Sequence, residues 1–185
     1  ERALPPEVVD YLRRACQGLS QYLGITPGDP KEMVKVQRWF HEFGFRRGGY
    51  EADEAQSHPD PAMHRPDVDR FRLLCLLMEG WRGSGGVTYD CDDVSAAVGA
   101  MAWFNGVPAY IGFISQNGPW HHHTFPVIVG PDGQLWGLEG IKPIPPFPLR
   151  EAHKVFAPLH RLTVVGPDGS AVDLPVRPDL APGNL

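Results

Sequence analysis

Residues 89–106 read YDCDDVSAAVGAMAWFNG, and the fold of the chain turns on how they are taken. Asp90 stands where an N-cap belongs, Cys91 at the first helical position, and Asp93 where a capping box wants an acid. Val94, Val98 and Met101 continue a helical stripe, and Asn105-Gly106 offers a left-handed stop. Cys91 falls on that stripe, so its sulfur is expected to point toward whatever the helix packs on. Ala96, Ala97, Gly99 and Ala100 are small enough to let a sheet or a second helix come close. A thiol at a helix N-terminus lies among unpaired N–H groups at the positive end of the dipole, which favours thiolate over thiol. Asp92 and Asp93 oppose that charge, so activation calls for a proton acceptor from elsewhere in the chain, a histidine.

Upstream, Leu4–Leu23 reads as a first helix, with Pro5 and Pro6 at its start, Val8, Val9, Leu12, Cys16 and Leu19 on one side, and Gly24 as its end. Asp29-Pro30-Lys31-Glu32 is a capping box with proline at the first helical position, opening a second helix that carries Met33, Val36, Phe40 and Phe43. The pattern then lapses from Gly48 to Pro66, a long loop with His58 and His64 that reads as surface rather than metal site. Asp67 caps a third helix through Glu79, with Phe71, Leu74, Cys75 and Met78 inward, and the Gly-rich link Trp81–Gly86 leads to the Cys91 helix.

Downstream the period switches from helix to strand. Val107–Ile114 is one strand, His121–Val129 a second and Gln134–Ile141 a third, the last two joined antiparallel by a Gly-Pro-Asp-Gly turn at 130–133. Lys142–Pro148 is a proline-rich connector and Arg150–Phe156 a short helix. Leu162–Val165 and Ala171–Val176 form a hairpin over another Gly-Pro-Asp-Gly turn, and Arg177–Leu185 is a tail. Trp103 and Trp136 read as core, whereas Trp81 and Trp120 are expected beside the site.

With 185 residues, 42% of them hydrophobic, a single domain over 1–185 is the natural count. Its parts are N-terminal helices and loop (1–66), a core (67–141), a connector and hairpin (142–176) and the tail (177–185). A net charge of −5 argues against a nucleic-acid or anionic-membrane partner. Cys16, Cys75 and Cys91 have no CxxC spacing, which suggests neither a disulfide framework nor a zinc knuckle. No run is long or apolar enough to span a bilayer and no basic-then-apolar leader opens the chain, so the expected address is cytoplasmic or virion-associated. No cofactor motif and no clustered calcium-ligand motif is present in the sequence, and oligomeric state is not legible.

The chain thus presents, in order, a helix-start cysteine, a histidine run His121-His122-His123 opening a strand, and an acid, Glu139, at the far end of the paired strand. That order resembles the transglutaminase-like superfamily, a branch of papain-like thiol enzymes. Its cysteine box, its strand beginning HAW or HxF and its W-x-x-L-D-P close find counterparts in Tyr89-Asp90-Cys91-Asp92-Asp93, His123-Thr124-Phe125 and Trp136-Gly137-Leu138-Glu139. The likeness spans roughly 68–141, including Asn105-Gly106-Val107-Pro108-Ala109 for the family's L-G-I-P-A. Glu139 stands where the family has Asp, and Tyr89 where many members have Gly.

The resemblance implies an α+β fold with a papain/transglutaminase-like core, N-terminal helices packed on a small antiparallel sheet, and the catalytic cysteine at a helix N-terminus. It implies Cys91 as nucleophile, His123 as base and Glu139 as the group orienting the imidazole. Strand phase favours His123, which shares a face with Phe125, Val127 and Val129, while His122 goes with Thr124, Pro126 and Ile128. His121 has the same phase as His123 but lies nearer the turn. The implied activity is thiol-dependent acyl transfer, as a cysteine peptidase or amidase acting on a protein or peptide without cofactor. The alternatives are a cross-linking transglutaminase and a non-catalytic structural or assembly module, for example in a virion. A metal-dependent hydrolase using the histidine run is a third reading, and adjacent strand residues facing opposite ways weigh against it.

Overall fold

The structure, a computed structural model, describes residues 5–46, 90–116 and 121–176, and within them every side chain except those of 43–46. The predicted loop with His58 and His64, the helix at 67–79 with Cys75, the link with Trp81, Tyr89, Trp120, the tail and the Phe43 side chain lie outside the described residues.

Helix α1 (Pro6–Leu23) begins on the φ-locked Pro5-Pro6 pair and ends where Gly24 turns left-handed at φ +61, letting Ile25 N–H reach the Ser20 carbonyl at 2.9 Å. Cys16 and Leu19 face the core, while Val9, predicted to join them, is 38% exposed on the outer edge of the stripe. Helix α2 (Met33–Arg46) follows a single 3-10 turn at Pro30–Glu32. The Asp29 carboxylate accepts the Lys31 N–H at 3.0 Å. The predicted reciprocal arm of the capping box is redirected, since Glu32 accepts the Thr26 N–H at 3.2 Å and holds Lys35.

Helix α3 (Cys91–Phe104) closes on Gly106 at φ +76, with Val107 N–H bonded to the Ala102 carbonyl at 2.8 Å. Strands β1 (Ala109–Ser115), β2 (His123–Val129), β3 (Leu135–Gly137), β4 (Phe147–Pro148), β5 (Arg161–Val165) and β6 (Ala171–Leu174) form one sheet in the order β4-β3-β2-β1-β5-β6, with every neighbouring pair antiparallel. The architecture is α+β. One core joins α1, α2 and α3 to Val107, Ala109, Ile128, Leu138 and Ile141. A second, on the other sheet face, packs Ile114, Phe125, Val127, Leu162 and Val164 under Phe147, Leu149, Ala152 and Phe156. Because β2 is covered on both faces, its TFPVIV run is almost uniformly apolar.

Several expectations are corrected. The N-terminal helices α1 and α2 pack chiefly on α3, and α3 is the helix that lies most extensively against β2 and β1. The reason is in α3 itself: Val94, Ser95, Ala97, Val98, Met101 and Ala102 are all buried, so the helix is apolar on more than one side and is sandwiched. Trp103 is not core; it is 53% exposed at the end of α3 and donates its indole N–H to the Ala109 carbonyl at 3.2 Å. The strand predicted at Gln134–Ile141 pairs only over Leu135–Gly137, with one further bond from Leu138 N–H to the Pro126 carbonyl at 2.8 Å. Glu139 leaves the ladder because its own side chain accepts the N–H groups of Ile141 (2.8 Å) and Lys142 (3.3 Å), a local turn that competes with pairing.

The predicted strands at Val107 and His121 start two residues later, at Ala109 and His123. The proline-rich connector contains β4, whose Pro148 is tolerated because β4 is the sheet edge. The predicted helix at Arg150–Phe156 is a 3-10 turn, Leu149–Glu151, followed by one turn of helix at Ala152–Val155. The predicted last hairpin forms between β5 and β6, and β5 pairs with β1 so that it extends the same sheet. Among the described residues no helix is long and apolar enough to cross a membrane.

The departing segment is pressed against α3. A Cβ built on Gly140 would lie 2.3 Å from Val94 Cγ1, so only glycine allows this approach. Gly140→Ala is expected to lose about 1–3 kcal/mol in urea unfolding. Pairing it with Val94→Ala should cost less than the two single losses added, because the second change makes room for the first.

Candidate functional site

The first residue of α3 and the first residue of β2 meet beside the point where Glu139 leaves the sheet. Cys91 is partly buried, with the Asp90 carbonyl accepting the first helical bond from Val94 at 3.2 Å. Asp90 has extended backbone (φ −130, ψ −160), but its side chain makes no cap bond, so that arm of the predicted capping box is not formed; the first turn keeps Asp92 and Asp93. The oxygens of Asp90, Asp92 and Asp93 lie within 4.8 Å of one another, an acidic cluster that nothing else among the described residues marks as a metal site.

His123 Nε2 lies 2.7 Å from Oε2 of Glu139, whose side chain is fully buried, and the same imidazole is the main group that lowers the Cys91 thiol pKa. With Nε2 engaged by the carboxylate, Nδ1 is the nitrogen left for sulfur. The ring leans on Phe156, centroids 5.7 Å apart, which limits its rotation. The other Glu139 oxygen is occupied by the Ile141 and Lys142 N–H groups, and its main-chain carbonyl receives Gln37 Nε2 at 2.7 Å and a bond from His41, both on α2. The carboxylate is therefore aimed from both ends.

The electrostatics follow. Burial alone would lower the His123 pKa, but the hydrogen bonds to Cys91 and Glu139, with the charges of both, raise it to about 9. Burial pushes the Cys91 thiol up, and the bonds and charge of His123 together with the backbone and hydroxyl of Thr124 carry it below its ordinary value. Glu139, also pushed up by burial, is held down by His123 and by the N–H groups of Ile141 and Lys142. The arrangement favours thiolate, imidazolium and carboxylate in a row.

Of the three histidines only His123 reaches Cys91. The His121 ring meets Thr163 Oγ1 at 2.9 Å, in a chain that continues through Asp173 to Arg161. The His122 ring pairs with Gln116 at 3.2 Å. The three rings turn to three different partners, so they do not converge as a chelating set. Trp136 is half-buried against the helical core, its indole N–H on Asp132. A cavity of about 390 Å³ between Leu135, Leu149, Leu162 and Leu174 includes none of Cys91, His123 and Glu139.

Sequence reasoning missed Ser95, Thr124, Gln37 and His41. Ser95 Oγ donates to the Cys91 carbonyl at 2.6 Å and lies 3.2 Å from Thr124 Oγ1. Its i+4 spacing from Cys91 was a usable signal. Gln37, 102 residues before Glu139, had none. Comparison with protein-family models, with curated proteins and with solved structures finds no match for the chain.

Proposed function

We propose that this chain is a thiol-dependent acyl-transfer enzyme built on a transglutaminase-like, papain-related core, and that it hydrolyses an amide bond in a protein or peptide. One observation carries the reading: a single imidazole 2.7 Å from a fully buried carboxylate and electrostatically coupled to a helix-start thiol. The order of helix cysteine, strand histidine and acid after the next strand supports the family resemblance, and the helix start supplies the N–H groups.

In this mechanism the Cys91 thiolate adds to the amide carbonyl carbon, and the carbonyl electron pair moves onto oxygen. The Cys91 N–H, which has no intrahelical acceptor at the first helical position, is one donor to that oxyanion. As the intermediate collapses, the C–N bond breaks and the leaving amine takes the proton of the His123 imidazolium, leaving a thioester. His123 then removes a proton from water, hydroxide adds to the thioester, and the thiolate departs from a carboxylic acid product. Glu139 holds the ring and its charge throughout, without taking the proton. A pKa of about 9 keeps the imidazolium protonated at neutral pH, which is what expulsion of a poor amine leaving group demands. An amine in place of water would turn the same thioester toward cross-linking.

Alkylation with iodoacetamide across pH, read by peptide mass, tests the reading. In the folded protein Cys91 should label well below the pH at which a free thiol of pKa ~8.5 reacts, with buried Cys16 protected. Labelling of Cys91 only after denaturation would overturn it. Amide hydrolysis should follow a bell, its acid limb set by protonation of the sulfur. Its basic limb should fall near pH 9, where the imidazolium loses the proton the amine needs.

A further inference from the structure

The strand that carries His123 also brings a second group to the sulfur, from its other neighbour side. In β2 the Pro126 carbonyl receives Leu138 N–H from β3, whereas Val129 N–H bonds to the Pro108 carbonyl on the β1 side. Alternate residues of a strand address opposite neighbours, so the backbone of Thr124, two residues before Pro126, faces the β3 side. There the ladder has ended, because Glu139 has turned away to bind Ile141 and Lys142. Cys91 stands on that side: Thr124 Oγ1 is tied through Ser95 Oγ to the Cys91 carbonyl, and the N–H and hydroxyl of Thr124 both help to lower the Cys91 thiol pKa. Thr124 is buried, and its Oγ1 lies 3.2 Å from Ser95 Oγ, whose own proton is committed to the Cys91 carbonyl at 2.6 Å.

The Thr124 hydroxyl therefore has one proton and two acceptors, Ser95 Oγ and Cys91 Sγ. We infer that Thr124 is a further catalytic residue whose hydroxyl proton turns to Ser95 while the sulfur is neutral and to the sulfur when it is charged. No covalent bond changes; the O–H rotates. The thiolate is held in the resting enzyme, and when the sulfur is acylated the hydroxyl swings back to Ser95, so the donor does not tax the neutral thioester. The inference rests on the acyl-transfer reading of Cys91. Among the described residues the charged group acting on the sulfur is His123, with Glu139 and His41 behind it, and Asp90, Asp92 and Asp93 flank Cys91 at the start of α3. All of them are kept in the variants below.

The test is the thiolate ultraviolet absorbance of the whole chain against pH, each variant differenced against its own Cys91→Ala counterpart, with alkylation rates alongside. Thr124→Val, which keeps the shape and deletes the hydroxyl, should move the Cys91 midpoint up by about one pH unit. Thr124→Ser should restore it. Ser95→Ala, which removes the competing acceptor, should leave the midpoint in place or lower it. A simple loss of packing would not separate these signs. An unmoved midpoint in Thr124→Val, or an equal rise in Ser95→Ala, overturns the inference while leaving the acyl-transfer reading standing. Absence of any low-pH thiolate in the wild-type chain overturns both.

Discussion

Glu139→Ala should lower stability by about 3–5 kcal/mol in chemical unfolding, a fall of roughly 10 °C in Tm. The side chain is fully buried and serves three donors at once: the His123 ring at 2.7 Å and the N–H groups of Ile141 and Lys142. Alanine leaves all three without their acceptor, and each donor orphaned in the interior costs about 1–3 kcal/mol. Glu139→Gln separates structure from charge. It keeps the volume and an acceptor for the backbone donors, so the fold should survive, but His123 loses the negative charge that helps hold it near 9. The Cys91 thiol should then titrate higher and alkylate more slowly at neutral pH. The pH profile of stability offers an independent check. The Glu139 pKa is lowered in the fold, so its contribution is fully present above the unfolded value near 4.5 and is lost as pH falls through the lowered one. Glu139→Gln should lack that acid limb, and retention of a wild-type limb would show that the carboxylate is not the group paired with His123.

The second large effect is expected from His123→Ala. The burial that already pushes the Cys91 thiol up then loses its main opposition, and the thiolate population near pH 6.5 collapses. Alkylation at that pH should fall about a hundredfold, since the thiolate is the reacting form. Hydrolysis of an amide substrate should fall by about 10²–10⁴-fold, because the same ring also protonates the leaving amine. His121→Ala and His122→Ala are the controls. Their rings are spent on Thr163 and Gln116, so either change should leave the Cys91 alkylation profile where it was. A comparable loss in either control, with His123→Ala unaffected, would move the base to the wrong-phase or turn-side histidine and unseat the proposed site.

Why His123 stands apart from its neighbours was partly legible. Two-residue alternation groups it with Phe125 and Val127, and those two side chains do enter one core while Ile128 enters the other. Strand phase does not fix, however, where the strand begins. His121 and His122 precede the first residue of β2, and their rings follow loop and neighbouring-strand partners instead of the pleat. The acid was harder still. Extending β3 to Ile141 placed Glu139 at a regular strand end, whereas the chain has already left the ladder there, drawn off by a side-chain turn and pinned against Val94 through Gly140.

The stretches that the sequence by itself determined are those governed by neighbours a few residues away. Gly24 and Gly106 stop their helices, Asp29 caps the turn before α2, Cys91 starts α3, and two Gly-Pro-Asp-Gly turns set two hairpins. Backbone sterics and local hydrogen bonds decide such features, and both are written in adjacent residues. The tertiary structure alone decided that α3 is sandwiched between the sheet and α1 and α2, that β3 is short, and that sulfur, imidazole and carboxylate stand in line with Thr124 beside them. Those outcomes depend on packing and on bonds such as Gln37 to the Glu139 carbonyl, across 102 residues of chain. No local pattern encodes them, because the energy of such a contact exists only once the distant partner has arrived.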